Sequence, residues 1–155
     1  MAGRYAANTE VSSELSRLEI ERVLIRYGAD GFAYANDGKR AMIAFRLDGR
    51  QIRFMLPLPD KEEYRYTPER RQQRTEKAWN DAWQQGCRQR WRALLLVVKA
   101  KLEACECGIS SVEDEFMANV VLPGGGTVGD FMAPQIQRAY ELGAPPSMLP
   151  MLEGK

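Results

Sequence analysis

Alternating apolar and polar residues flank an Asp48-Gly49 pair, and this pattern predicts an antiparallel β-hairpin. Asp-Gly is favoured in two-residue turns in which both central residues need positive φ. A turn at this pair places the large apolar residues on one face, which we predict to be buried: Ile43, Phe45, Leu47, Ile52 and Phe54. A slip of one residue would move all of them to the other face, so the pattern defines the register.

A third strand is predicted before the hairpin, at residues 32–35, because the turn sequence Asn36-Asp37-Gly38 joins it to the next strand. The three strands form a meander. Pro57 and Pro59 end the last strand, since proline has no N–H for the ladder. The less apolar face of the hairpin carries Arg46 and Arg53.

A long amphipathic helix is predicted after the meander, with apolar residues every three or four positions: Trp79, Trp83, Cys87, Trp91, Leu94, Val98, Leu102 and Cys105. It can begin at Thr67, which precedes a proline, or at Thr75, and Gly108 ends it. From residue 75 to 107 it would be about 50 Å long, at ~1.5 Å per residue. Either it crosses the whole domain or it breaks near Gly86.

Shorter helices are predicted on both sides. Residues 11–27 have a helical apolar pattern, residues 110–113 have capping-box spacing, and residues 127–142 can form a last helix whose start Pro134 would delay. The predicted fold class is α+β, with an N-terminal helix, a three-stranded antiparallel meander, a long amphipathic helix and short C-terminal helices.

The chain is predicted to be a single domain of 155 residues, long enough to bury a core without crosslinks. Residues 11–107 form the predicted core and residues 108–143 an acidic C-terminal subdomain, with loose termini at 1–10 and 144–155. No apolar run approaches the ~18 residues of a membrane span, and no signal peptide is recognisable, so we expect a cytoplasmic protein without a membrane partner. The odd number of cysteines, three, argues against a secreted disulfide framework and favours packing roles.

Charge is segregated along the chain although the net charge is only +1. Residues 68–101 hold nine basic and three acidic residues, whereas the chain after Gly108 holds six acidic and two basic ones. Such a split can seat a polyanion on the basic part, or let the basic part of one copy dock on the acidic part of another.

The basic stretch and the hairpin supply the predicted nucleic-acid contacts: Arg46, Arg53, Arg70, Arg71, Arg74, Arg88, Arg90, Arg92 and Lys99. Tryptophans are interleaved with these arginines, and aromatic faces stack on bases while guanidinium groups meet phosphates. The simpler alternative is a solvated basic helix face with the tryptophans in the core, because they lie on the apolar stripe.

No catalytic chemistry is predicted. The chain has no histidine, which removes the commonest general base and the commonest metal ligand. The glycines at 124–126 lack the lysine of a phosphate-binding loop, and the acids at 113–115 are explained by the dipole of a helix start. We therefore predict a protein that is not an enzyme and needs no cofactor or metal.

Five segments carry a resemblance to known sequences: Arg88-Gln-Arg-Trp-Arg-Ala-Leu94, Val98-Lys-Ala-Lys-Leu-Glu103, Glu115-Phe116, Val121-Leu-Pro123 with Thr127-Val-Gly129, and Ile52-Arg-Phe-Met-Leu-Pro-Leu-Pro59. Together they resemble a family of small uncharacterised proteins encoded by bacteriophages and prophages. The similarity covers residues 20–140. It implies a phage origin and the cytoplasm of a bacterial host, and it carries no catalytic motif.

The order of elements also resembles the β-β-β-α core of the single-strand annealing proteins of phages. This resemblance implies an oligomer that holds single-stranded DNA between the hairpin and helices, in recombination or replication. The alternative is a small phage protein that binds and inhibits a host factor, a defence or replication protein, through its acidic C-terminal part or its hairpin edge.

Overall fold

The computed structural model describes the backbone of residues 2–145 and the side chains of residues 13–145. Its helices and strands are α1 (Ala2–Arg26), β1 (Asp30–Asn36), β2 (Arg40–Leu47), β3 (Arg50–Pro57), α2 (Glu76–Glu106), α3 (Val112–Phe116) and α4 (Val128–Leu142). Short 3-10 turns lie at Lys61–Tyr64 and Met117–Asn119. The α+β fold class and the element order are confirmed.

The three strands form an antiparallel sheet in the order β1, β2, β3, and the predicted register is confirmed. Phe45 lies opposite Ile52, and Ile43 lies opposite Phe54. The apolar residues of this face are all buried. Asp48 adopts positive φ in the turn, as an Asp-Gly hairpin requires.

Helices α1 and α2 lie side by side and run in the same direction. Lys99 Nζ meets Glu19 Oε1 at 2.6 Å, and about two turns further along both helices the Tyr27 hydroxyl donates to Glu106 Oε2 at 2.6 Å. Their buried side chains join the inner face of the sheet in one core. Both helices therefore cover the same side of the sheet.

Three phenylalanine rings from separate elements meet in this core. Phe116 of α3 meets the rings of Phe45 and Phe54 edge-on, at centroid distances of 6.2 and 6.1 Å. Edge-to-face contact suits the charge distribution of aromatic rings. The space between the hairpin and the helices is thus filled by side chains.

Helix α2 is unbroken through Gly86, and it starts at Thr75 rather than Thr67. The Thr75 hydroxyl caps the helix by accepting the N–H of Ala78. The alternative start is wrong because residues 68–70 form a turn, closed by a hydrogen bond from the Gln72 N–H to the Thr67 hydroxyl. The cap and the proline are local signals, and in this chain the same residues form a local turn instead of a helix start.

Helix α1 begins at Ala2, whereas the sequence pattern predicted a start near residue 11 and a loose segment before it. Residues 2–10 include three alanines, and alanine has the highest helix propensity. The N-cap of α3 is Ser111, one residue later than predicted, and its hydroxyl accepts the Asp114 N–H.

The chain after α3 returns to the free edge of β3. The Val121 N–H donates to the Gln51 carbonyl at 2.8 Å. Thr127 and Asp130 then form a complete capping box, and α4 continues through Pro134 without delay. The predicted loose tail falls mainly on residues 146–155, which lie outside the described part.

Candidate nucleic-acid interface

The outer face of the sheet is left uncovered by α1 and α2, because both helices pack on its inner face. We call it the arginine face, and its residues are Ala33 and Ala35 of β1, Arg40, Met42, Ala44 and Arg46 of β2, and Gln51, Arg53 and Met55 of β3. Arg40 and Arg46 are six residues apart on β2, which is about 20 Å at ~3.3 Å per residue. Ala33 and Ala35 are exposed, whereas Ala44 is buried between the longer side chains. A polymer backbone can therefore approach the guanidinium groups of Arg40 and Arg46, which are both exposed.

Two arginines of this face are held by carboxylates at its margins. Arg46 Nε meets Asp30 Oδ1 at 3.0 Å, and Arg40 Nε meets Asp37 Oδ2 at 3.7 Å. The backbone N–H groups of Arg40 and Lys39 also donate to Asp37 and hold the pKa of its carboxyl below the usual range. All four side chains of these pairs are mostly exposed, so each pair contributes only about 0–1 kcal/mol. A phosphate can therefore take the place of either carboxylate as the partner of the arginine, at a small cost in free energy.

Arg53 is placed differently, since its guanidinium is fixed by the protein backbone. Its Nη2 donates to the Gly125 carbonyl at 2.8 Å, and its Nε is buried without a partner. Arg53 lies opposite Ala44, so it is a diagonal neighbour of Arg46, with about 7–8 Å between such positions. The structure therefore brings together the two arginines that strand alternation assigned to one face, and it adds Arg40.

The four predicted basic residues of α2 do not share this surface, because α2 packs against the inner face of the sheet. Arg88 donates to Gln85, and Lys99 pairs with Glu19. Arg90 and Arg92 are exposed, and within the described residues neither forms an ion pair or a side-chain hydrogen bond. The residues predicted to form one nucleic-acid site therefore lie on opposite sides of the sheet.

The segment between β3 and α2, residues 58–75, is called the connector. Its three predicted arginines fall into two classes. Arg74 is half-buried and its Nη1 donates to the carbonyls of Tyr64 and Tyr66, at 2.6 and 3.3 Å. Arg70 and Arg71 are exposed and unpaired among the described side chains. Arg74 therefore stabilises the connector, and only the other two face solvent freely.

The tryptophans have structural partners. Trp91 is buried in the core. The indole N–H groups of Trp79 and Trp83 donate to the carbonyls of Lys61 and Pro59, at 2.5 and 2.8 Å. The Lys61 ammonium lies over both of these rings. The two indoles thus anchor the connector to α2, which explains their place on the apolar stripe.

The acidic segment at 113–115 is largely engaged within the same chain. Arg50 Nη2 lies 3.5 Å from Glu113 Oε1, and Lys101 Nζ lies 3.8 Å from Glu115 Oε2. Lys101 also donates to the Glu115 carbonyl at 2.7 Å. The charge segregation in the sequence is therefore used, at least in part, to dock α3 on α2 and on the hairpin.

The cysteines differ in their surroundings. Cys87 is buried on α2, and burial raises the pKa of its thiol. Cys105 is half-buried, also with a raised thiol pKa, whereas Cys107 is exposed and does not fit the predicted packing role. In the described part of the chain, no three potential metal ligands come together. Within residues 2–145, none of the helices combines the length and the apolar composition of a membrane span.

Comparison with known proteins finds no match: no family model, curated protein or solved structure is significantly similar to this chain. The resemblance to phage proteins therefore stays a prediction.

Proposed function

We propose that this protein binds single-stranded DNA on the arginine face and acts in strand annealing during recombination or replication, as a phage-encoded protein in its bacterial host. The observation that carries this proposal is the open sheet face itself. Arg40 and Arg46 project from it about 20 Å apart, and the Arg53 guanidinium lies beside them, held by the Gly125 carbonyl. Among the described residues, the carboxylates that pair with Arg40 and Arg46 lie at the margins of the face. Guanidinium groups contact phosphates without reading sequence, which suits a protein that must accept any strand.

The shape of the face supports a single strand over a duplex. Met42 and Met55 alternate with the arginines and offer polarisable surfaces for unstacked bases, and Met55 is 44% exposed. The core phenylalanines exclude a strand from the space between hairpin and helices in one chain. The outer face is the part of the sheet that remains accessible to DNA.

The test is a fluorescence anisotropy titration with a labelled single-stranded oligonucleotide at several salt concentrations. Arg40→Gln/Arg46→Gln should weaken binding to every sequence and lower the magnitude of the salt slope by about 1.4, since each lost phosphate contact removes ~0.7 for a single strand. Arg70→Gln/Arg90→Gln is the matched control, because it removes two exposed, unpaired charges elsewhere.

Equal loss of binding in both double variants would show that only total charge matters and would overturn the assignment to this face. No binding by the parent protein at low salt would overturn the proposal as a whole. Circular dichroism of each variant confirms that the fold is retained.

A second candidate function is favoured by α4. This amphipathic helix buries none of its residues, and its apolar side chains reach solvent, with Tyr140 84% and Leu142 72% exposed. Uncovered apolar helix faces of this kind are used to dock on protein partners. The protein would then bind and inhibit a host factor, a defence or replication protein, through its C-terminal part.

The two functions are separable by variants. Ile136→Ser/Tyr140→Ser alters only the exposed side of α4, so it should abolish capture of a host protein and leave DNA binding unchanged. Arg40→Gln/Arg46→Gln should do the reverse. Loss of DNA binding in the α4 variant would contradict the placement of DNA on the sheet.

A further inference from the structure

The helical layer has its own exposed apolar surface, on the side away from the sheet. Leu96 and Val97 of α2 are exposed there, Leu96 by 60%, and so are Leu18 and Ile25 of α1. Leu96 of α2, and Leu18 and Ile25 of α1, lie roughly opposite the buried stripe of their own helix, at ~100° per residue, whereas Val97 lies to one side of it. This surface is separate from the arginine face and from α4.

The surface has a regular pattern along α2. Gln89, Ala93, Leu96, Ala100 and Glu103 are all exposed and are spaced by four, three, four and three residues. These positions form one stripe along the helix, with Leu96 between two alanines and a polar residue at each end. The stripe is about 21 Å long at ~1.5 Å per residue, and its small residues permit close approach.

Opposite charges stand at the two ends of the stripe. Arg92 lies near its N-terminal end and Glu103 at its C-terminal end, and neither has an ion pair or a side-chain hydrogen bond within the described residues. A two-fold axis reverses the direction of the second helix, so each end meets the opposite charge. The stripe is therefore complementary to itself in an antiparallel pair.

We propose that a second copy of this chain packs on the surface, with the two α2 helices antiparallel about a two-fold axis near Leu96. Ala93 then faces Ala100 of the partner subunit, and Arg92 lies near Glu103 of the partner subunit. The two arginine faces point away from each other on opposite sides of the dimer. This inference does not depend on DNA binding, since it uses the other side of the fold.

Sedimentation equilibrium of the full chain without DNA tests the dimer. The parent protein should be dimeric and Leu96→Glu monomeric, because the substitution puts two carboxylates at the axis. Ile109→Glu is the matched control, since Ile109 is 82% exposed outside the stripe and its replacement should leave the mass unchanged.

Charge reversal tests the orientation. Arg92→Glu should weaken the dimer about tenfold, as expected if the two symmetric exposed pairs together lose roughly 1.4 kcal/mol. Arg92→Glu/Glu103→Arg should restore the parent affinity, because each end of the stripe again meets an opposite charge on the partner subunit. The double variant also tests the proposal if Leu96→Glu fails to fold.

A parent protein that stays monomeric at several hundred micromolar overturns the proposal. So does a dimer that survives Leu96→Glu, or a double variant as weak as Arg92→Glu. Dimer formation only after addition of an oligonucleotide would assign the contact to DNA instead and would also overturn it.

Discussion

Gly86 shows how one residue links the connector to the long helix. It lies inside α2 with ordinary helical φ, so its backbone does not require glycine. A Cβ at this position would meet the Tyr64 hydroxyl and lie 2.9 Å from the Tyr64 Cζ and 3.0 Å from the Pro59 Cγ. The glycine therefore makes room for the connector. This neighbour could not be predicted from sequence, where a glycine inside a helical pattern indicates a break.

Gly86→Ala tests this role by the sign of its effect. Helix propensity alone predicts a gain of roughly 1 kcal/mol. Overpacking against Tyr64 predicts a loss of about 1–3 kcal/mol, measured by urea denaturation. The loss should shrink in a Tyr64→Phe background, which removes the nearest atom. A more stable Gly86→Ala protein would contradict the contact.

Tyr34 is a second residue with a testable environment. Burial raises the pKa of its phenol, and donation of its hydroxyl to Glu21 at 2.8 Å raises it further. The neutral phenol is thus favoured in the folded state. Its stabilising effect is complete below the ordinary tyrosine pKa near ~10 and is lost as pH rises through the higher folded value.

Tyr34→Phe should therefore cost about 1–2 kcal/mol at pH 8, where the hydrogen bond is intact. The free-energy difference between parent and variant should decrease above pH ~10, because the unfolded tyrosine ionises before the folded one. Urea denaturation at pH 8 and above pH ~10 measures this free-energy difference. A difference that grows with pH would show that the hydroxyl is not held as described.

At the scale of elements, the sheet was predictable because its signals are local. The Asp48-Gly49 turn and strict alternation fix which side chains share a face, and both Arg46 and Arg53 follow from them. The same alternation places Arg40 on this face. Because Arg40 comes so soon after the Asn36-Asp37-Gly38 turn, the sequence alone does not show that it already belongs to β2. The apolar face of the hairpin and the apolar stripe of α2 predict that the two pack together, but the sequence does not show how far the basic residues of α2 then lie from the hairpin arginines. Grouping Arg88, Arg90 and Arg92 with the hairpin arginines rests on charge and chain order alone, and the structure separates them.

The register is tested by truncating one inner side chain. Phe45 is 1% exposed, so Phe45→Ala should lower the free energy of unfolding by about 3–5 kcal/mol. Met55→Ala on the arginine face is the control and should cost less than about 1 kcal/mol. Similar effects of both substitutions would refute the assignment of the two faces.

At the scale of the whole molecule, the fold separates three surfaces. The arginine face lies on one side of the sheet, the exposed stripe of α2 around Leu96 lies on the outer side of the helical layer, and α4 presents an uncovered apolar side. Ion pairs within the chain, such as Arg50 with Glu113, neutralise part of the charge that is segregated along the sequence. Binding to a polyanion therefore depends on where the remaining arginines are grouped.

The most direct test of DNA binding on the arginine face is photo-crosslinking. An oligonucleotide carrying 5-bromodeoxyuridine would be crosslinked to the full chain, and the attached peptides identified by mass spectrometry. We predict crosslinks in peptides from β2 and β3, with loss of crosslinking in Arg40→Gln/Arg46→Gln. Crosslinks confined to peptides of α2 or α4 would contradict the account.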